Sequence, residues 1–321
     1  MNASPLALRA ARALGAAVIG AALLAACGGG TTQVDQFQPD RVLSFGDELN
    51  LLTASGTKYT VNALKTDKSL DCSSNSLWVQ YLAATAYSKR FSQCPGTDSS
   101  PDLTAYAQSS LDARVDDVVA TLQAKIASGD VGDGDLVLVL VGLHDVLDQY
   151  ALYDGSNEAD LKKALETKGE KLASQVNAVT GSGAKVLVST TIDLGLTPYA
   201  LDQKANVGDD RPGLLTRLTD SFNKAMRLAL INDGSKIGLL LADDLVRGMV
   251  KVPSSYGLGN TTTASCLQAN WRTATCTTDT LIDAAKDKSS TYLWADDLHP
   301  GPNFQLYLGQ QAVSRVRNLP F

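Results

Sequence analysis

The sequence predicts an α/β domain, a three-layer α/β/α sandwich around a parallel sheet. Three observations carry this. Four short apolar runs, VLSF (42–45), LVLVLV (136–141), KVLVST (185–190) and IGLLLA (237–242), are continuous rather than alternating. That is the pattern of strands covered on both faces. The segments between them have helical spacing. Short polar motifs follow the strands directly, where sheets of this kind build their sites.

The first strand reads through VLSF and breaks at Gly46, before the adjacent acids Asp47 and Glu48. A first amphipathic segment carries Leu111, Val115, Val118, Leu122 and Ile126 on one face. A second carries Leu161, Leu165, Leu172, Val176 and Val179. A third, with Leu215, Leu218, Phe222, Met226 and Leu230, opens on Asp210 and Pro212, good residues for a helix start. A last one carries Phe304, Leu308, Ala312 and Val316. Strands alternating with helices imply parallel strands joined by right-handed crossovers. Residues 90–105 and 252–292 are polar and rich in Gly, Ser and Thr, and read as long surface loops.

Residues 1–26 read as an export leader. Arg9 and Arg12 precede an apolar, Ala-rich run too short for an ordinary membrane span. Leu24-Ala25-Ala26-Cys27 resembles a bacterial lipobox, which implies a lipidated Cys27 followed by a flexible tether over 27–40 and a domain over 41–321. Gly28 after that cysteine resembles lipoproteins sent on to an outer membrane. The expected setting is therefore the cell envelope, with the lipid holding the chain to a bilayer. Four further cysteines, Cys72, Cys94, Cys266 and Cys276, suggest two disulfides in an oxidising compartment. Proximity favours Cys72–Cys94 and Cys266–Cys276 among the three possible pairings. The chain is acidic, 34 Asp and Glu against 28 Lys and Arg. No basic patch stands out, so nucleic acid is not an expected partner. A monomer and no cofactor are expected.

Only two histidines are present. His144 lies in VGLHD (141–145), after the most apolar strand. His299 lies in WADDLHP (294–300), before the final helix. With Glu48 they would gather at one edge of a parallel sheet. These short blocks resemble those of the SGNH/GDSL hydrolases. FGDEL (45–49) is similar to the block that supplies the serine nucleophile, and GLHD (142–145) to the GxND block. DDLHP (296–300) is similar to the DxxH block, in which Asp orients His and His acts as base. GTKYTVN (56–62), LWVQYLAA (77–84), YAQSSLDARV (106–115) and VPSSYGLGNTTTASC (252–266) extend the resemblance in order from about Arg41 to Val316. It implies Asp296 and His299 as catalytic positions and Glu48 in place of the nucleophile. It also implies Ser109 or Ser110 at the oxyanion-hole glycine and His144 at the oxyanion-hole asparagine. The implied ancestral substrates are esters of lipids or acylated sugars.

Those departures decide the chemistry. Acyl transfer by serine needs a hydroxyl whose proton the histidine removes. Glutamate is already ionised near neutral pH and has no proton to give up. Its charge would also oppose the developing oxyanion, and losing one oxyanion donor typically costs about 2.7–4 kcal/mol of barrier. Three readings follow. The first is a pseudoenzyme with a binding or structural role, in which Glu48 sits at a helix start or pairs with the histidines. The second is altered chemistry, with Glu48 and His299 as a base on water, or Glu48, His144 and His299 around a divalent metal. The third is retained esterase activity through Ser44, Ser109 or Ser110. Asp47 is expected to make structural hydrogen bonds, and Asp145 to cap the helix that follows it. Trp78, Trp271 and Trp294 are expected in packing roles, Trp294 near the pocket.

Overall fold

The computed structural model describes residues 36–94, 102–107, 109–267 and 275–318. The leader, Cys27, most of the tether and Trp271 therefore lie outside the described residues. The chain begins with β1 (Arg41–Gly46), a small antiparallel pair β2 (Ala63–Leu64) and β3 (Leu70–Asp71), and α1 (Trp78–Tyr87). It continues through β4 (Lys89–Phe91), β5 (Asp102–Ala107), α2 (Val115–Ala127), β6 (Asp135–Leu140), α3 (Leu143–Ala151) and α4 (Glu158–Gly181). Then come β7 (Lys185–Ser189), α5 (Pro198–Asn206), α6 (Arg211–Ala229), β8 (Ile237–Leu240) and α7 (Ala242–Lys251). β9 (Asn260–Ala264), β10 (Tyr292–Trp294) and α8 (Pro302–Asn318) complete it.

Six strands form one sheet in the order β4-β5-β1-β6-β7-β8, parallel at every pairing. All six residues of β6 are buried, as are five of six in β1. Only a sheet covered on both faces buries alternate side chains equally. The cover comes from two groups of helices. One is α1 with α8 and α7; the other is α4 with α6, α2 and α3. Each fully buried Leu or Val of the central strands contributes about 1.5–3 kcal/mol.

β1 comes first in the chain but sits inside the sheet. Later strands are added on its two sides, β5 and β4 on one and β6, β7 and β8 on the other. The carboxyl ends of β1, β5 and β6 therefore border the crevice where the winding reverses. The exit from β1 is tightly constrained. Gly46 has φ +151°, and a Cβ there would stand 1.8 Å from the Leu140 carbonyl oxygen. The Asp47 N–H instead donates to that oxygen at 3.2 Å. Asn50 bonds back to the Phe45 carbonyl and accepts from the Trp78 indole N–H, tying the turn to α1.

Several expectations are refined. Leu111 is exposed and precedes α2, which starts at Val115. The stretch 90–105 is not simply a loop; it contains most of β4 and the start of β5. Both are short or mixed in polarity, so apolar runs did not mark them. Likewise 252–292 contains β9, paired in parallel with β10. Both favoured disulfides are present, Cys72–Cys94 and Cys266–Cys276. Among the described residues, no helix is long and apolar enough to cross a membrane.

Gly46→Ala is expected to lose at least ~3 kcal/mol, since neither the backbone angle nor the Leu140 carbonyl admits a methyl group. Urea unfolding would measure it; a loss under about 1 kcal/mol would contradict this account of the turn.

Candidate functional site

Four segments meet at the crevice. Glu48 lies in the turn after β1, where the Leu51 N–H bonds the Glu48 carbonyl and the Leu49 N–H bonds the Asp47 carboxylate. Glu48 is thus in a tight turn and not at a helix start, contrary to one sequence expectation. Asp112 follows β5. His144 is the second residue of α3, after Gly142. Gly142 has φ +132°, and a Cβ there would strike the Phe222 ring at 2.5 Å. Asp296 and His299 follow β10.

The sequence expectation that Glu48, His144 and His299 converge is borne out. Glu48 and His299 are fully buried and His144 is 3% exposed. His144 Nε2 lies 2.5 Å from Glu48 Oε1. His299 Nε2 faces the same oxygen at 3.4 Å, an ion-pair distance too long for a good hydrogen bond. On the other side of its ring, His299 Nδ1 bonds Asp296 Oδ2 at 2.8 Å. The other Asp296 oxygen accepts the backbone N–H groups of Leu298 and His299. Asp296 therefore fixes both the ring and the turn that carries it. The Tyr59 ring packs against the His299 imidazole, centroids 5.2 Å apart. Glu48 Oε2 accepts the Asp112 N–H at 3.3 Å.

Burial and charge act on these groups in opposite directions. Burial alone would raise the Glu48 carboxyl, but the His144 hydrogen bond and the nearby His299 cation outweigh it and hold Glu48 down at about 2. Burial disfavours a charged His299, yet Asp296 and Glu48 together raise it to about 10. His144 is raised too; burial opposes this and Glu48 outweighs it. Asp47 is pushed up to about 7 by its burial and the neighbouring Glu48 charge. At neutral pH Glu48 is a carboxylate and the His299 imidazole facing it is protonated.

The other proposed positions fall as follows. Ser44 is buried within β1 and its hydroxyl has no partner among the described residues. Ser109 Oγ is buried and unbonded there too, while the Ser110 N–H is spent on the Gly46 carbonyl at 3.0 Å. Asp145 caps a different helix from the one expected: it lies inside α3 and accepts the Val115 N–H that opens α2. Trp294 is fully buried and its indole donates to the Thr261 carbonyl. Among the described residues, those able to share a metal ion are Glu48, Asp112 and His144, whose ligand atoms lie within 4.8 Å of one another. The sequence trio named His299 in place of Asp112. Asp112 stands in YAQSSLDARV (106–115) beside two serines, and its only sequence signal is an acid three residues beyond the oxyanion-hole position. Tyr59 gave no signal beyond lying in GTKYTVN (56–62).

No family model matches this chain, and no curated protein does. Solved structures similar to it include a lipolytic G-D-S-L family protein from Veillonella parvula (9% identity, 85% of this chain and 96% of that one, TM-score 0.43). They also include the acetylxylan esterase Axe2 from Geobacillus stearothermophilus (15% identity, 88% and 96%, TM-score 0.45). A third is the lipase Lip_vut3 from a goat rumen metagenome (9% identity, 86% and 96%, TM-score 0.49).

Two outcomes are expected. His299→Gln leaves the Glu48 and Asp296 carboxylates buried without their shared cation, and should cost about 3–5 kcal/mol at pH 6 by urea unfolding. The His299 proton also links stability to pH. The unfolded chain loses it near the ordinary 6.5, whereas the folded chain keeps it to about 10. Its contribution is complete below 6.5 and is lost as pH rises through about 10. Unfolding free energy should therefore fall faster over that window in the parent than in His299→Gln; equal slopes would mean that His299 is neutral in the fold.

Proposed function

We propose that this protein is an exported lipoprotein of the SGNH/GDSL hydrolase family that has lost serine-esterase catalysis and serves a binding role in the cell envelope. The observation that carries the reading is the Glu48 carboxylate, fully buried and bridging two histidines at the position the family resemblance gives to the serine. The base and its orienting acid are intact, with His299 Nδ1 bonded to Asp296. What the base would act on is gone. A protonated His299 has no lone pair on Nε2 to accept a proton, and Glu48 offers none. At the oxyanion-hole position a histidine replaces an amide donor, and its Nε2 is engaged by the Glu48 carboxylate instead of facing an incipient oxyanion. Neither Ser44 nor Ser109 bonds a histidine, so the retained-esterase reading has no nucleophile paired with a base. The order of motifs along the chain supports the family. The lipobox-like LAAC (24–27) supports the lipid anchor and the outer membrane or periplasm-facing envelope. Lipids and acylated glycans are the ligand classes that the family reading suggests.

The test is hydrolysis of short p-nitrophenyl esters. The parent should show no turnover above buffer. Glu48→Ser should gain slow turnover that His299→Ala removes. Adding His144→Asn to Glu48→Ser should raise the rate by about 10²–10³, the usual value of one oxyanion donor. Turnover by the parent that disappears in His299→Ala would overturn the reading.

A further inference from the structure

We infer that the Glu48–Asp112–His144 cluster is a binding site for a borderline divalent cation of the zinc class. The inference deepens the reading above and rests on it, since it takes Glu48 as a fixed carboxylate and not as a reacting group.

Three observations carry it. The first is the donor geometry. Glu48 Oε1 and His144 Nε2 share a hydrogen bond at 2.5 Å that opens for both to hold one ion, and His144 Nε2 lies 3.7 Å from Asp112 Oδ1. One ligand atom from each of the three residues falls within a mutual 4.8 Å. Each residue comes from a different segment of chain, after β1, after β5 and at the start of α3. The second is His299 Nε2. It is wholly buried, has no hydrogen-bond partner among the described residues, and faces Glu48 Oε1 at 3.4 Å. Its Nδ1 is bonded to Asp296, the carboxylate–imidazole pairing that typically orients a metal-binding histidine. A fourth donor is thus directed at the same carboxylate. The third is charge. Glu48, Asp112 and Asp296 set three carboxylates against two imidazoles around one site, so negative charge is in surplus even with both rings protonated.

The donor set selects the cation. One or two imidazoles with two carboxylates suit zinc and its neighbours, while magnesium prefers all-oxygen, largely hydrated sites. Binding exchanges the proton shared by His144 and Glu48 for the metal, with release of that proton, and His299 joins the donor set only by releasing its own Nε2 proton as well. The Asp112 side chain is 36% exposed, so the site opens to solvent on that side.

The test is calorimetric titration of the chelator-treated full chain in detergent, with zinc chloride and, separately, magnesium chloride. The expected result is one saturable zinc site per chain and no saturable magnesium site. Asp112→Asn and His144→Asn should each weaken zinc by at least about ten-fold. Cobalt loaded in place of zinc should give visible absorption bands that both variants lose. Asp112→Asn is the safer variant because its side chain is partly exposed, and a thermal melt without metal confirms that it is folded. No saturable zinc binding by the parent, or binding that folded Asp112→Asn keeps in full, would overturn the inference. Its failure is separable from that of the pseudoenzyme reading, because ester turnover by the metal-free parent sinks the latter whatever calorimetry shows.

Discussion

A carboxylate with no exposed surface must be neutralised by its neighbours, and the Glu48 site is organised around that requirement. Removing an ion of this size from water costs several kcal/mol even after the protein relaxes. Glu48 recovers this through His144 at 2.5 Å and His299 at 3.4 Å. Each histidine is in turn fixed by the fold. His144 sits at the head of α3, behind a glycine that lets the Phe222 ring close in. His299 is held by Asp296, whose second oxygen gathers the backbone of the same turn. The carboxylate thereby ties the ends of β1 and β6 to the segment after β10.

The same arrangement explains why acyl-transfer chemistry and this network exclude each other. A serine-type mechanism needs a neutral histidine that takes a proton from a hydroxyl and a donor aimed at an incipient oxyanion. Here Asp296 and Glu48 keep His299 protonated, and His144 is spent on holding the Glu48 carboxylate. The Asp296–His299 pair is an oriented carboxylate–imidazole pair whose task here is to neutralise and position Glu48.

Much of the architecture was legible because its signals are local. Four continuous apolar runs marked the four longest or most buried strands except β5, and helical spacing marked α2, α4, α6 and α8. β4 and β5 were hidden because a three-residue strand and the mixed stretch DLTAYA (102–107) have no apolar run to read. Glu48, His144, Asp296 and His299 stood out as chemistry-bearing residues after strand ends. Asp112 did not, since nothing in its neighbours predicts which carboxylate will face a histidine 32 positions away.

The sequence by itself determined the parallel α/β class, the favoured disulfide pairs, and the absence of a serine where the resemblance expects one. These follow from composition, short-range periodicity and residue identity. Only the tertiary structure decided that Glu48 is buried in a turn, that both histidines reach one of its oxygens, and that Asp145 caps α2 from α3. Those contacts join residues distant in the chain. Their energies depend on burial and on distances of a few ångströms, which are set by how strands order themselves in the sheet and not by any local stretch of sequence.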